Sequence, residues 1–347
     1  PRNQIDRLKI TKNILLIGTG NIGKRWLEGI LKVNNDMIIY LLDIDNEKID
    51  EAKQKYSATN HFNYKIINKL QDDRNIDEFE IVIIATDSKV RFGIIVDLIK
   101  KYKIKNLILE KILFQQKKHY LEAFELLKDI KVYVNVGNQL KIDYEIINRK
   151  LKETLPLNFK YNSLPLRIEV TGINWGMACN AIHYIEFIRA LQKIDKFKFS
   201  SSEIVKKIYD SKRNGFIEFA GKVIIKNDIN NENLLSLSCS IDKSNSKFVS
   251  ITLIYKTINI IIEYNNSRSK SLFYIVENDS KKTEYKFDGA MVSMAAQTYI
   301  HDILTKNHCG LPEYKDHYLI AMDYLDFFLN EAKNIKPSNN WNSLNIT

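Results

Sequence analysis

The chain has 347 residues, 45% of them hydrophobic and 27% charged. That mix suits a folded chain of two domains, or one large one, and excludes a disordered polymer. No run of 18 or more apolar residues occurs, so no membrane-spanning helix is expected. No cleavable leader is read at its start, which is Pro1, so an upstream piece is left open.

The net charge is +10, from 52 basic and 42 acidic residues. Two features argue against nucleic acid as partner. The basic residues are 42 Lys and only 10 Arg, and Arg is the side chain suited to forked phosphate and base contacts. The surplus is also spread along the chain rather than gathered in a tail. What remains is a weak leaning toward an anionic small substrate. Cys179, Cys239 and Cys309 are odd in number and far apart, so neither a disulfide framework nor a thiolate metal site is expected. No His pair has zinc-site spacing, and no metal is expected. A reducing cytoplasm fits these thiols.

In chain order, residues 13–17 form an apolar run ending in glycines, and residues 22–33 have helical character. A second apolar run, 37–42, precedes a polar helical stretch at 46–56. Strands at 80–85, 106–109 and 132–136 then alternate with helices at 90–102 and 117–129. Such alternation implies βαβ units and a parallel sheet covered on both faces. After about residue 150 the pattern changes. Strands are expected at 167–172, 216–226, 234–241, 248–256, 258–264, 272–277 and 283–287. Several of them alternate apolar with polar, as in a sheet with one solvated face. Residues 265–270 and 278–282 are turn-like. Helices are expected at 181–191, 295–304 and 318–332, and the Asn-rich tail 336–347 is expected to pack loosely. The expected fold is α/β: a Rossmann doubly wound parallel sheet in residues 1–138, then an α+β domain with a large, mostly antiparallel sheet in residues 139–347.

Gly18-Thr19-Gly20-Asn21-Ile22-Gly23 follows the first strand and opens a helix. Gly18 suits a tight turn, Gly20 a close backbone approach to a pyrophosphate, and Gly23 close helix–strand packing. Asn21 and Ile22 begin a helix whose free N–H groups favour phosphate. Asp43 lies 20 residues beyond Gly23 at the end of the second strand, where a carboxylate accepts hydrogen bonds from adenosine ribose hydroxyls. It also repels a 2′-phosphate, so NAD is expected over NADP. Lys24 and Arg25 are additional phosphate candidates. The bland alternative is a plain turn, with Asp43 capping the next helix.

Further segments carry a family resemblance. Ile81-Val82-Ile83-Ile84-Ala85-Thr86, then Leu109-Glu110-Lys111-Ile112, Val134-Asn135-Val136-Gly137-Asn138, the run Asn174-Trp175-Gly176-Met177-Ala178-Cys179-Asn180-Ala181-Ile182-His183, and Leu311-Pro312 together resemble the Gfo/Idh/MocA oxidoreductases. The resemblance covers roughly residues 13–332. It implies an NAD-dependent oxidoreductase of the surface-polysaccharide type, acting on a hydroxyl or keto group of a nucleotide-activated or acidic sugar. It also implies a homodimer or homotetramer formed through the C-terminal sheet. Ala85, Thr86, Glu110 and Lys111 then join the cofactor set, and Asn138, Trp175, Asn180 and His183 the substrate set. Lys111 and His183 match the family's catalytic lysine and histidine.

This chain departs from the family in three places. Cys179 and Asn180 stand where an Asp is frequent, Ile112 replaces a Pro, and Asn138-Gln139 replaces an Arg pair. A cis bond before a residue other than proline costs about 3–4 kcal/mol, so the Lys111–Ile112 bond is expected trans, or cis if function retains it.

Hydride transfer needs a base for the hydroxyl proton and a group that stabilises the oxyanion. His183 suits the first and Lys111 the second. Asn180 either binds substrate or caps its helix, and Cys179 is a packed small side chain rather than a thiolate. Two alternatives stand beside this reading. One is a redox-assisted epimerase or glycosidase that recycles NAD; the other is a catalytically silent dinucleotide-binding protein.

Overall fold

The computed structural model describes residues 11–33, 37–56, 64–66, 76–154, 164–194, 196–243, 247–264, 271–277, 281–337, 339 and 341–347. The expected turn at 265–270 lies outside the described residues, as do residues 278–280 of the other.

The first part of the chain runs β1 (Lys12–Ile17), α1 (Asn21–Leu31), β2 (Met37–Leu42), α2 (Asn46–Tyr56), β3 (Tyr64–Ile66), β4 (Glu78–Ile84), α3 (Arg91–Ile99), β5 (Lys103–Glu110), α4 (Lys117–Leu126) and β6 (Lys131–Asn135). It continues with α5 (Asn138–Thr154), β7 (Arg167–Ile173), α6 (Met177–Gln192), β8 (Phe197–Ile204), β9 (Tyr209–Asp210), β10 (Ile217–Glu218), β11 (Gly221–Asn227) and β12 (Asn233–Ser240). Strands β13 (Phe248–Ile254), β14 (Ile258–Glu263), β15 (Ser271–Glu277) and β16 (Lys281–Phe287) precede helices α7 (Val292–Lys306) and α8 (Tyr314–Ile335).

These elements form two compact units. The first takes residues 1–110, 123–135 and 292–314; the second takes 111–122, 136–291 and 315–347. The units therefore interleave along the chain, whereas the boundary read from the sequence is a single cut after residue 138.

The first unit holds six parallel strands in the order β3-β2-β1-β4-β5-β6. Ile14, Leu15 and Leu16, Ile81 through Ile84, and Leu107 through Leu109 are fully buried. Both faces of their strands are thus covered, which is why these segments read as continuous apolar runs. The order reverses between β2 and β4 around β1, and ligands of such sheets bind outside the carboxyl ends of the strands at that point. Helix α7 joins this unit through α1. A Cβ on Gly29 would lie 2.5 Å from the Ala296 Cβ, so a glycine on α1 admits α7 at close range. Residues 311–313 follow β6, with the Val134 N–H donating to the Pro312 carbonyl at 2.9 Å.

The second unit holds eight strands in the order β16-β15-β14-β13-β7-β12-β11-β8. Every neighbouring pair is antiparallel except β7 with β12, so the expected mostly antiparallel sheet is present. Helix α6 is buried along most of its length, from Met177 to Ile188, which explains its weak amphipathic pattern. Several features differ from expectation: β8 and β9 fall where no strand was expected, and the expected strand 216–226 is split into β10 and β11. Helix α5 occupies a stretch whose helical period the sequence did not announce. The tail is not loose: Leu344 and Ile346 are fully buried, and the Leu344 N–H donates to the Gln115 carbonyl at 2.9 Å. Apolar side chains at alternate positions anchor an otherwise polar segment.

Candidate functional site

In the first unit the glycine loop has the geometry that its residue types require. Gly18 has φ +90°, and a Cβ there would lie 3.0–3.2 Å from the Ala85–Thr86 backbone. The loop therefore packs directly on the end of β4, and the Ala85 N–H donates to the Ile17 carbonyl at 2.8 Å. Gly23 lies against the Gly18 carbonyl, where a Cβ would come within 1.8 Å of the oxygen. A Cβ on Gly20, by contrast, meets nothing within 4 Å. Gly20 thus borders open space at the N-terminus of α1, beside Asn21 and Ile22, as a pyrophosphate cradle demands. The residues present fit a dinucleotide.

Asp43 is tied to this loop. Its Oδ2 accepts the Thr19 N–H at 2.6 Å and the Thr19 hydroxyl at 3.0 Å, and its Oδ1 accepts the Asp45 N–H at 3.0 Å. The capping of α2 falls instead to Asp45, whose Oδ1 accepts the Glu47 N–H. Lys24 pairs with Glu51, and Arg25 is exposed. Thr86 gives its carbonyl to the Arg91 guanidinium. Glu110 is buried and accepts from Trp26 Nε1 at 2.7 Å and Asn135 Nδ2 at 2.6 Å. It is a structural tie between β5, α1 and β6.

In the second unit Lys111, Asn180 and His183 come together with the start of α6. The Lys111–Ile112 peptide bond is cis, the second of the two expected outcomes. The Lys111 Nζ donates to the Cys179 carbonyl at 2.5 Å and to Asn180 Oδ1 at 3.2 Å. Asn180 in turn donates to the Trp175 carbonyl at 2.6 Å and the Gly176 carbonyl at 3.1 Å. It both closes the first helical turn and holds the lysine. Gly176, at φ +75°, provides the left-handed step into α6 that a side chain would resist.

His183 Nδ1 accepts the Gly137 N–H at 2.9 Å. A neutral imidazole with Nδ1 as acceptor carries its proton on Nε2. One turn further, Glu186 is buried between His317 Nδ1 at 2.8 Å and Arg189 at 2.7 Å. Burial works to raise the Glu186 carboxyl, but His317 and Arg189 together hold it below the usual value.

Trp175 is buried, with its Nε1–H donating to the Ser238 carbonyl at 2.9 Å and its ring edge-on to Tyr184. What it offers is a wall of the core, not an exposed face. Asn138 opens α5, and its side chain lies outside the described residues. Burial, with Glu218 nearby, pushes the Cys179 thiol up to about 12, so it stays a thiol at neutral pH. Glu218, which no sequence motif singled out, lies buried beside the same turn and accepts the Ala178 N–H at 2.8 Å. Its signal is weak in the sequence, because it follows an apolar residue in a two-residue strand. Among the described residues no cluster of His, Cys, Asp or Glu has the makings of a metal site, and no helix is long and apolar enough to cross a membrane.

Residues 12–138 match a sequence family described as an oxidoreductase family with an NAD-binding Rossmann fold, Gfo/Idh/MocA. No curated protein sequence matches the chain. Among solved structures, KijD10, a 3-ketoreductase from Actinomadura kijaniata in complex with NADP, superposes with a TM-score of 0.64 at 8% identity, over 91% of this chain and 96% of that one. UDP-N-acetylglucosamine 3-dehydrogenase GnnA from Acidithiobacillus ferrooxidans gives 0.64 at 9% identity, over 91% and 96%. A super-repressor mutant of Gal80p from Saccharomyces cerevisiae gives 0.63 at 12% identity, over 96% and 97%. At such identities these likenesses show the fold alone. Residues 12–138 thus match the NAD-binding Rossmann domain of the Gfo/Idh/MocA oxidoreductase family.

Proposed function

We propose that the chain interconverts a keto and a hydroxyl group on a nucleotide-activated or acidic sugar, with NAD(H) preferred to NADP(H). The observation that carries this is the second-unit cluster: a lysine ammonium held by one helical turn, and on the same helix a histidine whose Nδ1 accepts the Gly137 N–H. Of the solved structures named above, one is a 3-ketoreductase and another a dehydrogenase of UDP-N-acetylglucosamine, which supports the substrate class. The Asp43 carboxylate supports NAD, since a 2′-phosphate beside it would meet like charge.

The roles differ from those first expected. A neutral His183 that accepts from Gly137 presents an N–H at Nε2. It therefore serves as a donor that polarises the sugar carbonyl, as neutral imidazoles do elsewhere. Accepting a proton at Nε2 would require Nδ1 to carry the ring proton, facing the Gly137 N–H. The acid–base work then falls to Lys111. In the reductive direction its Nζ gives a proton to the oxygen as the carbonyl carbon is reduced, and the amine is reprotonated from solvent. In the oxidative direction the neutral amine takes the hydroxyl proton. When bound, the dinucleotide supplies or receives the hydride.

We infer further that copies of the chain assemble as a dimer or tetramer through the eight-stranded sheet, and that it works in a reducing cytoplasm. A monomer in light scattering at micromolar concentration would refute the assembly. The enzyme reading is tested with NADH and a panel of keto and hydroxy nucleotide sugars. Turnover that Lys111→Ala abolishes without weakening NADH binding is expected. Full turnover in Lys111→Ala would remove the lysine from the chemistry. One observation favours a silent binding protein: the same fold occurs in the repressor Gal80p. That reading predicts NADH binding with no turnover of any sugar.

A further inference from the structure

Glu218 is a buried carboxylate that these roles leave unused. The β9–β10 hairpin sets it against the first turn of α6. Its Oε2 accepts the Ala178 N–H at 2.8 Å. A Cβ on Gly176 would come within 2.9 Å of its Oε1, so the glycine clears space for the carboxylate. The Cys179 thiol lies beside it and works to lower its carboxyl. The same turn presents its Cys179 carbonyl and Asn180 side chain to the Lys111 Nζ, at 2.5 and 3.2 Å. A buried carboxylate and a lysine ammonium thus grip one helical turn, in low-dielectric surroundings where charges act strongly.

We propose that Glu218 is the positioning residue of Lys111: it fixes the turn that holds the ammonium, and its charge keeps that ammonium protonated. The proposal deepens, and rests on, the proton-donor role given to Lys111 above.

The Cys179, Cys239 and Tyr324 side chains beside Glu218 are neutral across the working range; the backbone of Thr347, at the last position, also reaches the Cys179 thiol, and the Arg213 guanidinium donates to the Thr347 hydroxyl at 3.4 Å. Burial, with Glu218 beside it, holds the Cys179 thiol up at about 12. Burial also raises the Cys239 thiol, on β12. The Tyr324 hydroxyl, on α8, is buried and held well above its usual 10, and it donates to the Ala178 carbonyl at 2.6 Å. Lys111 is the charged side chain that acts directly on the Glu218 carboxyl. Burial raises the Glu218 carboxyl above its usual 4.5, while the thiol, the Ala178 N–H and Lys111 oppose that rise. Where a lysine titrates, in alkali, the carboxyl is ionised.

A carboxylate that merely capped α6 would be replaced by Gln, which still accepts from Ala178. The test separates the two roles. Protein labelled with [ε-13C]lysine is titrated by NMR, and the Lys111 signal is assigned by its loss in Lys111→Arg. In Glu218→Gln the Lys111 midpoint is expected to fall by about one pH unit. The kcat should drop about tenfold or more with the NADH KM unchanged, and Glu218→Asp should recover part of the loss. In wild-type protein the same signal should show a second inflection in acid, above pH 4.5, as Glu218 takes up a proton. An unchanged Lys111 midpoint in folded Glu218→Gln overturns the proposal. So does the absence of the acid inflection in wild type, which serves if the variant does not fold. The titration needs no substrate: the expected shifts with no turnover of any sugar would refute the enzymatic reading and leave the Glu218–Lys111 coupling standing.

Discussion

Two glycines of one loop should separate folding from binding. In Gly23→Ala the new Cβ would lie 1.8 Å from the Gly18 oxygen and 2.8 Å from its carbon. The backbone must open until that contact reaches at least 3.0 Å, which pulls α1 off the loop. Such overpacking costs about 2–3 kcal/mol, of which the better helix propensity of Ala returns about 1. In Gly20→Ala the Cβ meets nothing within 4 Å, and the backbone, at φ −64° and ψ −167°, is open to any residue. Its folding cost is a few tenths of a kcal/mol, roughly that of changing a cap residue. The space it fills is the space a pyrophosphate needs. The affinity for NADH should fall about a hundredfold, equivalent to about 2.8 kcal/mol. Thermal unfolding and NADH fluorescence titration read the two effects. Gly23→Ala should melt lower and bind weakly; Gly20→Ala should melt like wild type and bind weakly. Wild-type NADH affinity in Gly20→Ala would refute the assignment of this loop to the dinucleotide.

Other outcomes follow from individual groups. Asp43→Asn keeps an acceptor for Thr19 but loses the charge, so the NADPH-to-NADH affinity ratio should rise about tenfold, and an unchanged ratio would remove Asp43 from cofactor choice. Glu186 is held below its usual 4.5 in the folded state. The stability it contributes is complete above pH 4.5 and is lost as the pH falls through its lowered value. Glu186→Gln should therefore cost about 3 kcal/mol at neutral pH in denaturant unfolding, with the gap closing in acid; a pH-independent gap would contradict the charge argument. All three thiols are buried, with Cys179 and Cys309 pushed up to about 12. Native protein should react with none of them in minutes of exposure to a disulfide reagent at pH 8, and denatured protein with all three.

The sequence made the first unit legible because burial on both sheet faces writes strands as unbroken apolar runs, and because glycines at fixed spacing have few other uses. The agreement at β2 and α2 extends to both ends. Less was legible in the second unit. Helix α5 turns Asp143 inward, where the carboxylate accepts the Tyr264 hydroxyl at 2.8 Å and the Ala290 N–H at 2.6 Å. A buried charge of that kind blurs an amphipathic period. Lys111 and His183 were singled out through a resemblance, but the Gly137 N–H that meets His183 Nδ1 comes from a distant segment and left no trace in the sequence around the histidine. Glu218 was invisible for a similar reason: its partner is the N-terminal turn of a helix about forty positions away. The return of α7 to the first unit rests on Gly29, whose missing side chain gives no hydrophobic signal.

The central claim is that this chain moves hydride between a dinucleotide and a sugar carbon, with Lys111 exchanging the proton. Deuterium transfer tests it most directly. Protein is incubated with [4-2H]NADH and a panel of keto nucleotide sugars, and the products are read by mass spectrometry. Wild type is expected to place deuterium on a sugar carbinol carbon. Lys111→Ala is expected to transfer none above background at equal NADH occupancy. Label transfer by Lys111→Ala at the wild-type rate, or none by wild type with any sugar, would contradict the claim.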